Sequence, residues 1–288
     1  MTTPETVGWI GLGQIGAPMA KRLLDRPGDP AGLVVCDVVA EATEPFAAAG
    51  ATVADDPAGV VAAGATIVSV MVRDDDQVRD VVGAMLPGAA PGTVIAVHST
   101  IAAETAEELA AVASEREVAV VDAPVSGGAM GAATGRLAVM VGGDVAAVDR
   151  CREPFGRFAD LVLHFGPAGS GTRAKVARNL ITFASFAAAG EASRLAEAHG
   201  LDLAALGEVV RHSDAVTGGA GAILLRDATA PLAADDGLRP IFEHTRALGE
   251  KDLGLAIALG EAAGIDTPVA RQALGLLAAA LGVPHGDR

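Results

Sequence analysis

Up to about residue 165, short runs rich in β-branched residues alternate with amphipathic segments. VGWIG, LVVCD, TIVSVM, TVIAV, VAVVDA, LAVMVGG and LVLHFG read as strands, and 18–24, 75–85 and 102–115 as helices between them. Near-continuous apolar strands separated by helical crossovers predict a doubly wound parallel sheet with both faces covered. After FGPAGSG the strand pattern stops. Helical periodicity then runs through 172–199, 202–212, 239–263 and 267–281, punctuated by Gly and Pro. The chain therefore divides into an α/β domain over 1–166 and an all-helical domain over 167–288, with 172–199 as a long connecting helix. No repeat with a period of about 20 to 50 residues is present.

Composition narrows the picture. Of 288 residues 51% are hydrophobic, yet only 3% are aromatic and none is tyrosine, so the core must be packed from small side chains. A mean hydropathy of +0.41 is high for a monomer and fits either apolar surface hidden between subunits or a simple alanine bias. The net charge of −15 opposes general affinity for nucleic acid or anionic lipid, so an anionic substrate would need locally arranged donors. Cys36 and Cys151 are the only cysteines, which leaves nothing for a disulfide framework or zinc site and fits a reducing cytoplasm. The N-terminal residues lack the basic and apolar regions of a secretion signal. The longest apolar stretch, 180–190, is about half the length of a membrane helix, so no membrane partner is expected.

Two glycine-rich turns carry candidate chemistry. In VGWIGLGQIG, Gly11, Gly13 and Gly16 follow a strand and open a helix, and the next strand ends in Asp37. That context is a Rossmann-type dinucleotide site: the glycines permit a tight turn and close backbone approach, the helix start favours a pyrophosphate, and the acid accepts from a ribose hydroxyl. With no Arg or Lys in CDVVAEATEPF, Asp37 would repel a 2′-phosphate, so NAD is expected rather than NADP. A plain strand–helix turn, or a site for another adenine-containing ligand, would need the same glycines without the rest of the unit.

The second turn, in DAPVSGGAMGAATGRLAVMVGG, could present the Ser126 hydroxyl and the N–H groups of Gly127 and Gly128 to a small carboxylate. A connection without a ligand would look the same. Further on, GSGTRAKVARNLI places Lys175 and Asn179 four residues apart, on one face of a helix. Most helix lysines are simply solvated.

GLGQIGAPMA, HSTI, DAPVSGGAMGAATG, GSGTRAKVARN and LGEKDLGLA, in this order and across nearly the whole chain, resemble the β-hydroxyacid dehydrogenase family, which includes 3-hydroxyisobutyrate dehydrogenase and tartronate semialdehyde reductase. The resemblance implies that Lys175 is the catalytic lysine, that Asn179 helps hold the substrate, and that Ser126, Gly127 and Gly128 form the substrate turn. It places Gly11 to Gly16, including Leu12, Gln14 and Ile15, against NAD, together with Met71, Val72, Thr100 and Lys251. It also implies a homodimer or homotetramer built through the long helix and the C-terminal helices. No metal is expected, since hydride transfer with a lysine needs no Lewis acid and the sequence holds no ligand cluster. The expected reaction interconverts a small β-hydroxy acid and its semialdehyde or keto acid by hydride transfer. An amine with a pKa lowered by burial or by a cationic nicotinamide can exchange the hydroxyl proton.

The chain departs from the family pattern at several places. Ile15 stands where methionine is usual, and Val97 and His98 where an acid often precedes the ST pair. His98 reads as a packed or surface histidine. An aromatic position is taken by His244, or by Phe242 after a short shift, and Asp214 follows Ser213, which suggests a more polar pocket than that of 3-hydroxyisobutyrate dehydrogenase. Arg173 and Arg178 read as surface or interface charges. Rival readings are an imine reductase or reductive aminase on the same architecture, whose members generally lack the lysine, and a dinucleotide sensor without catalysis.

Overall fold

The computed structural model describes residues 5–24 and 32–286. Its first half alternates β1 (Val7–Ile10), α1 (Gly16–Leu24), β2 (Leu33–Cys36), α2 (Glu44–Ala48), β3 (Thr52–Val53), α3 (Pro57–Ala62), β4 (Ile67–Val70), α4 (Asp75–Met85), β5 (Val94–Val97), α5 (Ala103–Ser114) and β6 (Ala119–Asp122). Then follow β7 (Val125–Ser126), α6 (Gly128–Thr134), β8 (Leu137–Gly142), α7 (Val145–Phe158) and β9 (Ala159–Gly166). The helical remainder is α8 (Ser170–Ala198), α9 (Leu203–Thr217), α10 (Arg239–Ala263) and α11 (Pro268–Leu281).

Every residue of β1, β2, β4 and β5 is buried, which is why these strands read as unbroken apolar runs. Among the described residues the sheet runs β3-β2-β1-β4-β5-β6-β8-β7, with β9 beside β8. The pairs from β3 to β6 are parallel, and β8 is antiparallel to both β6 and β7. The sheet is thus parallel in the main and reverses only where the second glycine-rich segment makes a short connection, which an antiparallel partner permits. Strand order reverses between β1 and β4, and ligands of such sheets bind in the crevice beyond the strand ends at that point.

Two apolar layers cover the sheet. One packs Met19, Leu23, Phe155 and Phe158 from α1 and α7 over Trp9 and Leu137, and the other packs Val60, Val82, Met85 and Leu109 from α3, α4 and α5 over Ile10, Val68 and Ile95. Each such side chain contributes about 1.5–3 kcal/mol by leaving water. Aspartates set several helix starts: Asp56, Asp74, Asp144 and Asp202 accept first-turn N–H groups of α3, α4, α7 and α9.

The chain forms two compact units that divide between Arg178 and Asn179, inside α8. In the second, Phe242, Leu281 and Val283 form a small core. Glu191, 5% exposed, accepts from Val269 N at 2.9 Å and Ala270 N at 2.8 Å and so caps α11. Leu180, Phe183, Phe186 and Val216 are left exposed. No helix among the described residues is long and apolar enough to cross a membrane.

Candidate active site

The three glycines of the first turn have different reasons to be bare. Gly11 has φ +95°, and a Cβ there would overlap the Met71 carbonyl; one at Gly16 would overlap the Gly11 carbonyl. At Gly13 a Cβ would meet nothing within 4 Å. The first and third are demanded by the chain's own packing, whereas the second leaves open space in front of the α1 N-terminus, where a pyrophosphate fits.

The Trp9 indole N–H donates to the Gly11 carbonyl at 3.0 Å, and Asp37 accepts from Leu12 N at 2.5 Å and Val39 N at 2.8 Å. Asp37 therefore holds the turn while keeping lone pairs for ribose hydroxyls. Beside it lies a cavity of about 350 Å³, lined by Gly11, Asp37, Asp55, Asp56, Val72 and Asp80 among others, with no Lys or Arg in its wall. Cys36, also in the wall, has its thiol pushed up to about 11 by burial and by Asp56, Asp37 and Asp55, so it remains a thiol.

The loops after β4 and β5 are tied together by Ser99. Its hydroxyl accepts from Val72 N at 2.9 Å and donates to Val72 O at 2.7 Å. Met71 and Val72 are partly buried, and Thr100 is exposed. Ser99 stands beside Thr100 in the HST motif, and nothing local in the sequence marks its link to Val72, 27 residues away. His98 is packed: 1% exposed, with Nδ1 2.8 Å from Ala123 O and Nε2 3.0 Å from the Ser69 hydroxyl. Burial pushes its pKa down to about 4, so the ring is neutral and spent on structure.

Lys175 lies in the second turn of α8, and its Nζ donates to the carbonyl of Val125 at 2.7 Å. Val125 directly precedes Ser126, Gly127 and Gly128, so the structure brings the amine beside the second glycine-rich turn. Gly127 (φ +131°) and Gly128 (φ +62°) adopt conformations that favour glycine, and at Gly128 a Cβ would meet nothing within 4 Å. The turn joins the end of β7 to the start of α6, which fixes its backbone. Half-burial, and secondarily the Arg178 charge, lower the Lys175 pKa from the usual lysine value.

Two family models match the chain: the NAD binding domain of 6-phosphogluconate dehydrogenase over residues 6–166, and the NAD-binding region of NADP-dependent 3-hydroxyisobutyrate dehydrogenase over 169–288. The chain belongs to the 3-hydroxyisobutyrate dehydrogenase family. It is 58% identical to an uncharacterized oxidoreductase of Mycobacterium tuberculosis, over 99% of this chain and 96% of that one. An NAD-dependent L-serine dehydrogenase of Pseudomonas aeruginosa is 35% identical over 99% of this chain and 95% of its own. A crystal structure of a Mycobacterium avium protein, 54% identical, covers 98% of this chain and 100% of its own with a TM-score of 0.93. An imine reductase of Myxococcus stipitatus, 19% identical over 99% of this chain and 96% of its own, shares the fold (TM-score 0.75).

As a 3-hydroxyisobutyrate dehydrogenase family member, the chain is an NAD(P)-binding oxidoreductase, and the bare Gly13, the Asp37 carboxylate and the adjoining cavity suit such a cofactor. Asn179 follows Lys175 by one helical turn and is partly buried. Lys251 lies on α10 in the second unit, largely exposed and paired with Asp252 at 3.1 Å. His244, Ser213 and Asp214 are exposed in the second unit, whereas Phe242 belongs to its core. Arg173 is paired with Glu107 at 2.7 Å, a surface ion pair.

Proposed function

We propose that the protein is an NAD-dependent dehydrogenase that interconverts a small β-hydroxy acid and its semialdehyde or keto acid, with Lys175 as general acid and base. One observation carries this reading: the half-buried amine of Lys175, donating to Val125 O at 2.7 Å, sits beside the bare turn of Ser126, Gly127 and Gly128. Bound NAD supplies the hydride acceptor. The chain's own part is the proton and the orientation. Lys175, its pKa lowered by burial, takes the hydroxyl proton in oxidation and returns one in reduction. Asn179, one turn along α8, orients the same oxygen or the carboxylate without adding charge. The Ser126 hydroxyl and the N–H groups of Gly127 and Gly128 hold the carboxylate.

The cofactor residues in this reading are Gly11, Leu12, Gly13, Gln14, Ile15, Gly16, Asp37, Met71, Val72, Thr100 and Lys251. NAD is preferred because Asp37, Asp55, Asp56 and Asp80 wall the adenosine cavity without a compensating cation. The L-serine dehydrogenase relative supports a polar three-carbon substrate of this class. Exposed Leu180, Phe183 and Phe186 support a homodimer or homotetramer.

The test follows NADH formation over a panel including 3-hydroxyisobutyrate, L-serine and glycerate, with NAD and NADP, for the wild type and Lys175→Ala. Turnover that depends on Lys175 is expected. Cofactor binding with no turnover over the panel would favour a sensor, and an active Lys175→Ala enzyme would remove the catalytic assignment.

A further inference from the structure

We infer that Asp122 is the positioning residue for Lys175: its carboxylate fixes the start of α8, and thereby the point to which the amine is delivered one turn later. The inference rests on Lys175 being the proton-transfer group.

Asp122 ends β6 and is 1% exposed. One carboxylate oxygen accepts from Gly169 N at 2.8 Å and the other from Thr172 N at 2.6 Å. These are N–H groups that a helix start leaves without intrahelical partners, so one buried side chain satisfies two of them. Three residues beyond Asp122, the Val125 carbonyl accepts from Lys175 Nζ. The segment 122–125 therefore holds both the start of α8 and the end of the lysine side chain.

The backbone contacts are tight around this clamp. Gly142 pairs with Asp122 across β8 and β6, and a Cβ on it would overlap the Asp122 carboxylate. At Gly171 a Cβ would overlap the Met140 carbonyl and come within 2.6 Å of the Asp122 carbonyl. The glycines let the carboxylate reach the helix start and let that start lie against the strand ends. A lysine stem alone is too flexible to set where its amine stands, so the placement of the helix decides it. A misplacement of about 1 Å can cost about 100-fold in rate.

Asp122→Asn keeps the shape but turns a donor toward one of the two N–H groups. We expect kcat to fall at least about 10-fold, with KM and NAD affinity within about 2-fold of wild type. The chain's three lysines, Lys21, Lys175 and Lys251, allow each to be followed separately by acylation and peptide mapping. Faster labelling of Lys175, relative to the other two, is expected once the helix start loosens. Gly171→Ala, which pushes the helix off the strand while leaving Asp122 intact, should reproduce the kcat loss and covers the case in which Asp122→Asn does not fold. Either variant with wild-type kcat, in an enzyme that Lys175→Ala silences, overturns this inference and leaves the role of Lys175 standing. So does a kcat loss matched by losses in KM and NAD affinity, which would mean general loosening. An active Lys175→Ala enzyme instead removes the reading beneath it.

Discussion

The imidazole of His98 lies nearly parallel to the indole of Trp9, with ring centroids 5.6 Å apart and 12° between the planes. Phe155 and Phe158 meet the imidazole edge-on at 5.1 and 5.6 Å. Since the Trp9 N–H holds the Gly11 carbonyl, this buried stack braces the first glycine-rich turn from behind.

Protonating that histidine should weaken the fold. Its pKa is about 4 in the folded chain against an ordinary 6.5, so between those values the unfolded chain binds more protons and stability rises with pH. The contribution is complete above the ordinary value and is lost as pH falls toward about 4, roughly 3 kcal/mol in all. Urea unfolding followed by emission of Trp9, the single tryptophan, should show this loss. His98→Gln should flatten the slope in that window, and an unchanged slope would refute the assignment.

The proposed role of Lys175 predicts a second pH dependence, of activity. With this amine as the proton acceptor, oxidation needs it neutral, so the rate should rise with pH to a plateau above its lowered pKa. Arg178 contributes to that lowering, and Arg178→Gln should move the rising limb to higher pH. Acylation of Lys175, read by peptide mapping, should reach half its maximum below the pH found for a lysine in a short peptide. A limb that stays in place in Arg178→Gln would mean that another group controls the profile.

Much of this was legible from the chain, for identifiable reasons. Helices α4, α10 and α11 carry periodic patterns and α8 a long run free of proline, all with clear punctuation, and the expected 75–85 and 239–263 agree with α4 and α10. Strands β3 and β7 are two residues each, too short to show alternation. Helix α7 holds an interior Pro154 and several charges, which mask its apolar face. Helices α2, α3 and α6 are five to seven residues long and rich in small residues. At the site, glycine spacing and the Lys175 motif lie within single segments. Asp122 and Ser99 act on backbone groups far along the chain, 47 and 50 residues away for Asp122 and 27 for Ser99, and no local pattern reports such a contact.

Cofactor choice should depend on Asp37 first. NAD is expected to bind about 100-fold tighter than NADP, since a 2′-phosphate would replace a hydrogen bond by repulsion against the acidic wall. Asp37→Asn should weaken NAD by about 10- to 100-fold, the range for a charge-assisted hydrogen bond of about 1.5–3 kcal/mol. Adding Asp55→Asn to Asp37→Ser should improve NADP binding further than Asp37→Ser alone. Titration of Trp9 emission with each dinucleotide measures this without turnover, and equal affinities in the wild type would refute the preference.

The high hydropathy left two explanations open, a subunit interface or an alanine bias, and the structure weighs between them. The exposed apolar residues of the second unit include large ones, with Leu180 at 70%, Phe183 at 62%, Phe186 at 64% and Val216 at 77%. An alanine-rich interior would not by itself place phenylalanine and leucine in water, each at about 1.5–3 kcal/mol relative to burial. Phe183 and Phe186 also meet edge to face at 5.9 Å, forming one patch on α8. Sedimentation velocity at micromolar concentration should therefore give a dimer or tetramer. Phe183→Glu with Phe186→Glu should shift it toward monomer, because two carboxylates would have to be desolvated to rebuild the contact. A wild-type chain that sediments as a monomer would leave alanine bias as the account of the hydropathy.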